Sequence, residues 1–258
     1  MNRATLFLAL IVTFYAAVLH AAEKTLDPAT SDPKALAISK KVMTALGGTA
    51  AWNNAHFLRF DFASVKDGKT NRIRSHWWDK YSGRHRVEGT TKEGDPWVVL
   101  HNLNTREGVA YKKGVKQEGE EAKKMLGSAY GVWINDTYWL LMPFKLNDPG
   151  VILRYDGRET IEGKSYDKLL LTFDNVGLTP KDKYWAYVNR RTHLVDRWAF
   201  VLKGEEEPAS HYWWRGWKKY GKVKLAPERA AVDGDGKLLF ENLAVSDSMP
   251  DSVFTSVN

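Results

Sequence analysis

Short stretches in which apolar and polar residues alternate recur along most of the chain, and turn residues separate them. Such alternation predicts β-strands. The stretches cover residues 56–63, 70–79, 83–88, 96–103 and 108–112 in the first half, and 151–155, 165–173, 183–202, 211–214, 222–227 and 237–245 in the second. Strands that follow one another through short turns pair as antiparallel neighbours. The chain is therefore expected to build a large antiparallel sheet.

Two other stretches have the residue spacing of a helix. The first begins at Ser31-Asp32-Pro33, where a capping side chain precedes a proline, and ends at Gly47-Gly48. The second runs from about Lys116 to Pro143, and Gly127 and Gly131 inside it suggest a break. A helix, about five strands, a helical insert and about six strands predict an α+β domain, with helices on one face of a large curved sheet.

The first 22 residues have the order of a secretory signal peptide. Arg3 is followed by an uncharged, mostly apolar run to Leu19, and then by the small residues Ala21 and Ala22. The run is shorter than the roughly 20 apolar residues of a membrane-spanning helix. We therefore expect cleavage after Ala21 or Ala22 and export to the periplasm as a soluble protein. An uncleaved membrane anchor is the alternative.

The composition excludes several kinds of site and partner. The sequence has no cysteine, which excludes disulfides, thiolate metal sites and a lipid-modified N-terminal cysteine. The net charge is +7, but the basic residues are scattered and form no long run. Nucleic acid is therefore not expected as a partner. No linker or internal repeat is visible, so residues 23–258 are expected to form a single domain.

Motifs of common catalytic and metal sites are absent or incomplete. The sequence has no H-E-x-x-H, no G-x-S-x-G and no glycine-rich phosphate-binding motif. His76, His85 and His101 lie on three consecutive predicted strands and could meet in space, but scattered histidines of a sheet are more often ordinary core or surface groups. Asp233-Gly234-Asp235-Gly236 resembles the start of a calcium loop, but Lys237 occupies the fifth position, so a hairpin turn is expected. No catalytic residue, metal site or cofactor is predicted.

Eleven tryptophans are the compositional anomaly of the chain. Aromatic residues at this density must either build a large core or line a site. In the predicted hairpin of residues 183–202, alternation groups Trp185 with Tyr187 and Trp198 with Phe200. We expect one face of the hairpin to carry these aromatic side chains under the helices, while small apolar groups occupy the other. A cavity for an apolar ligand between sheet and helices would be lined in this way.

Three segments resemble LolA-like proteins and an uncharacterised exported bacterial family near the LolA/LolB (lipoprotein localisation factor) superfamily. PKDKYWAYVNRRTHLVDRW resembles a hairpin with the pattern Y-W-x-Y-V-N/D-P-x-T-G-L-V-x-R-W. TALGGTAAWNNAHFLRFDF resembles the helix, paired glycines and tryptophan that lead into the first strand, and YWLLMPFKLNDPGV with SYDKLLLTF resembles the exported family. Two positions depart from the hairpin pattern, because Arg190 replaces the usual proline and His193 replaces the usual glycine.

The resemblance implies a strongly curved, open antiparallel sheet, a half-barrel, whose concave face is covered by helices. In LolA and LolB the apolar space between them holds the acyl chains of lipoproteins that cross the periplasm. The two departures leave the substrate open, so the resemblance implies the fold and an apolar cavity. The residues expected to line that cavity are Trp77, Trp97, Trp133, Trp139, Met142, Trp185, Tyr187, Trp198 and Phe200.

The function expected from these observations is that of a non-enzymatic periplasmic binding or carrier protein. Its ligand would be a lipid or another apolar molecule, and envelope lipoproteins or membrane components are candidate partners. One alternative is an exported carbohydrate-binding protein that uses tryptophan side chains as platforms. Another is a hydrolase whose site is built on His76, His85 or His101.

Overall fold

The computed structural model describes residues 31–174, 182–202 and 210–257, so the expected signal peptide lies outside the described residues. The helices are α1 (Pro33–Ala45), α2 (Thr49–Asn53), α3 (Gly119–Leu141) and α4 (Ser252–Thr255), and a short 3-10 helix (Met142–Lys145) follows α3. The strands are β1 (Phe57–Lys66), β2 (Lys69–Asp79), β3 (Arg84–Thr90), β4 (Pro96–Asn102), β5 (Gly108–Lys112), β6 (Val115–Lys116), β7 (Val151–Ile161), β8 (Lys164–Phe173), β9 (Lys183–Asn189), β10 (Val195–Val201), β11 (Ser210–Arg215), β12 (Lys218–Tyr220), β13 (Val223–Leu225), β14 (Glu228–Ala231) and β15 (Lys237–Ser246).

One large sheet contains most of the strands. Its order is β6-β5-β4-β3-β2-β1-β15-β14-β11-β10-β9-β8-β7, and β12 pairs with β13 separately. All pairs are antiparallel, and β1 at the centre is bonded to β2 on one side and to β15 on the other. The outermost strands β6 and β7 do not pair with each other, so the described sheet is open. The predicted fold, an open, curved antiparallel sheet with helices on one face, is confirmed.

The start of α1 is fixed to strand β7. The carboxylate of Asp32 accepts a hydrogen bond from the backbone N–H of Lys34 at 2.8 Å and so caps the helix, with Pro33 in the first turn. The backbone N–H of Asp32 donates to the carbonyl of Leu153 at 2.8 Å, and the hydroxyl of Ser31 accepts from the N–H of Leu153 at 3.2 Å. The predicted helix start is confirmed, and the same residues attach the helix to the sheet.

Helix α3 is continuous from Gly119 to Leu141, so the break suggested at Gly127 and Gly131 is wrong. Each glycine in a helix interior costs about 1 kcal/mol relative to alanine, but packing between the two glycines and after them offsets this. Ala129 is buried against β-strand residues, and Leu140 and Leu141 join the main core. The helix therefore lies across the sheet as one rod.

The main core fills much of the space between sheet and helices. Strand β1 contributes Leu58 and Phe60, and the segment after α3 contributes Met142, Phe144 and Leu146, all of them buried. A smaller cluster lies under the first half of α3, where Ala129 meets Val87, Val99 and Ala110. The interior is therefore packed in its centre, and two cavities lie beside α3.

The register of the β9–β10 hairpin separates its aromatic residues. Trp198 lies opposite Ala186 and Phe200 opposite Tyr184, whereas Trp185 lies opposite Ala199. Because cross-strand partners share a face, Trp198 and Phe200 face the helices, and Trp185 lies on the other face. The expectation that the hairpin's aromatic side chains share one face is therefore wrong.

The hairpin turn accounts for one departure from the resemblance. His193 has a φ angle of 57°, in the left-handed region that glycine adopts most easily. The side chain of Asn189 closes the turn by accepting a hydrogen bond from the N–H of Arg191 at 2.9 Å. The turn geometry usual for a glycine is thus kept with a histidine at this position.

Among the described residues, no helix combines the length and the apolar character that crossing a bilayer requires.

Candidate functional site

A cavity of about 460 Å³ lies between the C-terminal half of α3 and strands β8, β9 and β10. We call it the α3–β10 cavity. Its walls are mainly aromatic: Tyr138, Trp139, Phe173, Tyr184, Trp198 and Phe200. Its volume lies within the range of about 300–1,000 Å³ that is usual for small-molecule sites. The cavity is thus of a size and lining suited to an apolar molecule.

The aromatic walls are in mutual contact and therefore hold one another in place. The ring of Trp139 meets that of Trp198 edge-on, with centroids 4.6 Å apart, and meets Phe200 at 5.6 Å. Tyr184 lies 5.5 Å from Trp198 and 5.2 Å from Tyr138 on the helix. Edge-to-face pairs at these distances add to the stability that burial provides. The walls are preorganised by contacts between helix and sheet.

Few polar side chains line the cavity, and Asp182 among them is buried. Lys145 forms an ion pair with Asp148, and both side chains are partly exposed. The hydroxyl of Tyr184 donates to the carboxylate of Asp182 at 3.1 Å. Burial raises the pKa of Tyr184, and burial likewise holds the pKa of Tyr138 well above its usual value. Both phenols are therefore neutral at physiological pH, and the interior carries no phenolate charge.

Asp136 fixes the middle of α3 to the sheet. Its carboxylate accepts two hydrogen bonds from the guanidinium of Arg74 on β2, each 2.7 Å long, and a third from His76 at 3.0 Å. Burial by itself raises the pKa of Asp136, but the hydrogen bonds from His76 and Arg74 outweigh burial and lower it. The carboxylate is therefore ionised inside the protein.

The three histidines singled out in the sequence do meet, in a line that starts at Asp136. The carboxylate can only accept, so Nε2 of His76 donates to it. Nδ1 of His76 then accepts from Nε2 of His85 at 3.1 Å, and Nδ1 of His85 accepts from Nε2 of His101 at 2.7 Å. We call His76, His85 and His101 the histidine chain. When the three rings are neutral, each ring N–H therefore donates to the next group in the direction of Asp136.

Burial keeps the histidine chain neutral. It lowers the pKa of His76 despite the opposing effect of Asp136, and it holds the pKa of His85 well below its ordinary value. Burial and the charge of Arg106 lower the pKa of His101 to about 4. At neutral pH the three rings act as neutral donors and acceptors.

The histidine chain is poorly suited to a metal ion. Its ring nitrogens bond to one another in pairs, whereas metal ligands point at one centre. No group of three or more His, Cys, Asp or Glu side chains that could hold a metal occurs in the part of the chain that the structure describes. None of the three rings lines the α3–β10 cavity. The histidine chain therefore positions α3 and makes no contact with the cavity.

Arg229 fixes the C-terminal end of α3. Its side chain is fully buried and donates to the carbonyls of Trp139 at 2.9 Å and Ala226 at 2.8 Å. The guanidinium also lies 3.3 Å from the ring centroid of Trp214. The last carbonyls of a helix lack partners within it and carry the negative end of its dipole, so a cation is favourable there.

The residues expected to line a cavity are distributed over several places. Trp139, Trp198 and Phe200 line the α3–β10 cavity, and Met142 is buried in the main core beside it. Trp97 lines a second cavity under the first half of α3. The ring of Trp133 packs edge-on against Trp78 at 5.4 Å.

The other three expected residues lie on the opposite face of the sheet. Trp185 and Tyr187 belong to a small cluster there with Tyr166 and Ala199. Trp77 lies between the guanidinium groups of Arg59 and Arg86, 4.8 and 5.4 Å from its ring centroid. These side chains are therefore separated from the α3–β10 cavity by the sheet.

Sequence reasoning missed four residues that shape the cavity: Tyr138, Tyr184, Asp136 and Arg229. Alternation along β9 groups Tyr184 with the small residues Ala186 and Val188, and only the pairing register places it opposite Phe200. Asp136 offered a signal, because it is an acidic residue within an apolar helical segment. Arg229 offered none, since its partners are backbone carbonyls distant in sequence.

A family model matches residues 53–218, and its description is a family of unknown function, DUF6503. The chain belongs to DUF6503. The match covers β1 to β11 and includes α3 and the hairpin, so the α3–β10 cavity lies within the family's region, whereas Arg229 lies outside it. No curated protein matches the chain in sequence.

Two solved structures are similar to this DUF6503 member at low sequence identity. A DUF1329 family protein from Desulfovibrio piger is 12% identical, with a TM-score of 0.53 over 87% of this chain and 98% of that one. A putative outer membrane lipoprotein-sorting protein domain from Vibrio parahaemolyticus is 7% identical, with a TM-score of 0.46 over 86% and 96%. At such identities the similarity to the first protein establishes the fold alone.

Proposed function

We propose that this DUF6503 member is a non-enzymatic periplasmic binding or carrier protein that holds a lipid or another apolar ligand in the α3–β10 cavity. The observation that carries the proposal is the aromatic lining of that cavity, in which Trp139, Trp198 and Phe200 face open space under the helix. Apolar walls with a few polar groups are typical of sites for apolar ligands.

Burial of apolar area supplies the driving force in this proposal. Each buried methylene contributes roughly 0.8 kcal/mol, so an acyl chain with ten buried methylenes gains about 8 kcal/mol. Association costs about 4–15 kcal/mol in lost motion. The balance favours binding only where the site is already formed, and the ring contacts of Trp139 with Trp198 and Phe200 provide such a site.

The side chains around the cavity support binding over catalysis. The described lining residues include no serine, threonine, cysteine or histidine. The phenols of Tyr138 and Tyr184, whose pKa values burial raises, are weak acids there. The histidine chain lies away from the cavity, so a hydrolase built on His76, His85 or His101 would not act at this site.

Exposed tryptophan platforms for a carbohydrate are not favoured either. All eleven tryptophans lie in the described part of the chain, and none of them is exposed. The support for export to the periplasm is the N-terminal segment, and in that compartment lipids and lipoproteins of the envelope would be the available ligands or partners.

The decisive experiment is native mass spectrometry with lipid extraction, on protein purified without detergent. We expect a co-purified apolar molecule, and displacement of a fluorescent fatty acid by unlabelled fatty acid. Gly131 lines the cavity, and a Cβ there meets no atom within 4 Å. Gly131→Leu should therefore fill the cavity and reduce binding without unfolding the protein.

The matched control is Gly127→Leu, one helical turn earlier. A Cβ at Gly127 also meets nothing within 4 Å, and Gly127 does not line the cavity. Both substitutions remove a helix glycine, so both should raise stability slightly, by up to about 1 kcal/mol. Protein that is empty, refuses fatty acids and responds equally to the two variants would overturn the proposed function.

A further inference from the structure

A second cavity, of about 440 Å³, lies on the same side of the sheet under the N-terminal half of α3. We call it the α3–β4 cavity. Its floor is apolar and is formed by Ile73, Trp97 and Val99 of the sheet, and Met125, Ala129 and Val132 of α3 complete the apolar lining. Val99 and Ala129 are almost fully buried, so this lining is continuous with the smaller core cluster. No residue lines both cavities.

Trp97 forms one wall of this cavity because Gly89 lets its ring approach strand β3. The two residues are cross-strand partners, and a Cβ at Gly89 would lie 3.1 Å from the Trp97 ring. That distance is tighter than ordinary side-chain contact. The absence of a side chain at Gly89 therefore allows the flat ring of Trp97 to lie beside the helix, where it offers a surface suited to an apolar chain.

The rim of the α3–β4 cavity carries an excess of positive charge. Lys92 and Lys124 lie on it with one acid, Glu121. None of the ion pairs found among the described residues involves either lysine, whereas the neighbouring Lys123 is paired with Glu120 at 2.7 Å. Ser128 adds a hydroxyl at the same rim. Two lysines without a carboxylate partner beside an apolar floor are complementary to an anionic head group on an apolar tail.

Two side chains of α3 that line neither cavity attach the helix to the sheet. Asp136 is bonded to Arg74 and His76, and Trp133 packs against Trp78. Along the helix, Gly131 lines one cavity and Val132 the other. Ligands in the two cavities therefore meet different walls and different charges.

We propose that the α3–β4 cavity is a second binding site, which takes an anionic amphiphile with its tail on the Trp97 floor and its head between Lys92 and Lys124. This site goes beyond the proposed function, because it needs no ligand in the α3–β10 cavity. The shared chemistry is an anionic oxygen group on a hydrocarbon chain, whether the molecule is a fatty acid or a membrane lipid.

The test is calorimetric titration of the full chain with laurate, 1-dodecanol and acetate, using the Gly131→Leu protein, in which the first cavity is filled. We expect laurate to bind at one site and more tightly than dodecanol. We expect acetate not to bind, because it lacks the tail. Salt should weaken the binding of laurate and leave that of dodecanol unchanged.

Variants then locate the site. The double variant Lys92→Ala with Lys124→Ala should weaken laurate binding about tenfold or more, whereas Lys123→Ala on the same helix should leave it unchanged. Ser128→Phe should block the cavity. Since Ser128→Phe could disturb packing, the indole N–H signal of Trp97, identified with Trp97→Phe, provides a second measurement and should shift on addition of laurate.

The outcomes separate this inference from the proposed function. Laurate that binds the wild type but not Gly131→Leu overturns the second site and leaves the first intact. If laurate and dodecanol bind equally tightly and the lysine variants do not change this, the proposed recognition of an anionic head group is wrong. If acetate binds as tightly as laurate, the tail contributes nothing to binding, and the proposal of an amphiphilic ligand is wrong. Binding to Gly131→Leu that Ser128→Phe abolishes supports the second site even if the first is empty.

Discussion

Arg74 and Asp136 form a bidentate ion pair that is almost completely removed from solvent, with side chains 7% and 0% exposed. The pair joins β2 to the middle of α3. Taking two charges out of water is costly, and a buried pair of this kind is weak evidence of net stabilisation. Its geometric effect is clearer, because residues on both sides of Asp136, from Gly131 to Trp139, line the α3–β10 cavity. The pair sets the position of the helix and hence the shape of the cavity.

Asp136→Asn should destabilise the protein strongly, because it leaves the buried guanidinium of Arg74 without a counter-charge. The expected loss is about 3–5 kcal/mol of unfolding free energy, measured by urea denaturation. Glu120→Gln on the same helix is the matched control, since its ion pair with Lys123 is exposed. It should cost no more than about 1 kcal/mol. Equal losses in the two variants would contradict the structural role given to Asp136.

The histidine chain makes stability depend on pH. An unfolded histidine has a pKa near 6.5, whereas that of folded His101 is about 4. Between these values the unfolded chain binds more protons, so the unfolding free energy decreases as pH falls from about 6.5 to about 4. For His101 alone the decrease is roughly 3 kcal/mol. His76 and His85, whose pKa values are lowered as well, act in the same direction.

Comparison of the wild type with His101→Gln at several pH values isolates this effect. The charged groups acting on the histidine chain are Asp136, Arg74, Arg106 and Asp61, and they are the same in both proteins. In the acid range, the unfolding free energy of His101→Gln should depend on pH less steeply than that of the wild type, by up to about 1.4 kcal/mol per pH unit. Parallel stability curves for the two proteins between pH 7 and pH 4.5 would rule out His101 as a source of the acid sensitivity.

Local signals in the sequence predicted most of the fold. Alternation located the long strands, and the Asp32-Pro33 start with the following glycines located α1, because these features act within a few residues. The break in α3 was predicted wrongly, since the glycine penalty is small compared with the packing of Ala129 between the two glycines and of Leu140 after them. Propensity describes the isolated helix, whereas tertiary contacts decide the folded one.

The candidate site was harder to predict from the sequence, because it depends on strand pairing and on contacts between residues distant in sequence. Alternation divides a strand into two faces but leaves open which face meets which in the next strand. The register that places Phe200 opposite Tyr184, with Trp185 on the other side, is set by the hairpin turn and an irregularity between Val195 and Arg197. The sequence allowed a meeting of His76, His85 and His101, because they lie on adjacent strands. His85 is directly opposite His101, whereas His76 is diagonal to His85 and opposite Val87.

Arg229→Met should destabilise the protein by about 3 kcal/mol or more, because it leaves buried carbonyls at the end of α3 without donors. Arg229→Lys should recover only part of this loss, since an ammonium group lacks the planar fork that reaches several carbonyls. Arg215→Met is a suitable control, because Arg215 is exposed and lies 3.7 Å from Glu228. Thermal and urea unfolding measure all three. A loss for Arg229→Met no larger than that for Arg215→Met would contradict the anchoring of the helix end.

Brominated fatty acids provide an optical test of which tryptophans the ligand contacts, because bromine quenches indole fluorescence only at short range. Trp139 lines the α3–β10 cavity, whereas Trp185 lies on the other face of the sheet. A brominated acyl chain should therefore quench the wild type in part. The quenched fraction should fall in Trp139→Phe and stay unchanged or rise in Trp185→Phe, because the second variant removes an indole that the ligand does not reach. Both changes keep an aromatic ring, so large losses of stability are not expected. If Trp185→Phe removes the quenching and Trp139→Phe keeps it, the ligand binds on the outer face and the assignment of the α3–β10 cavity is wrong.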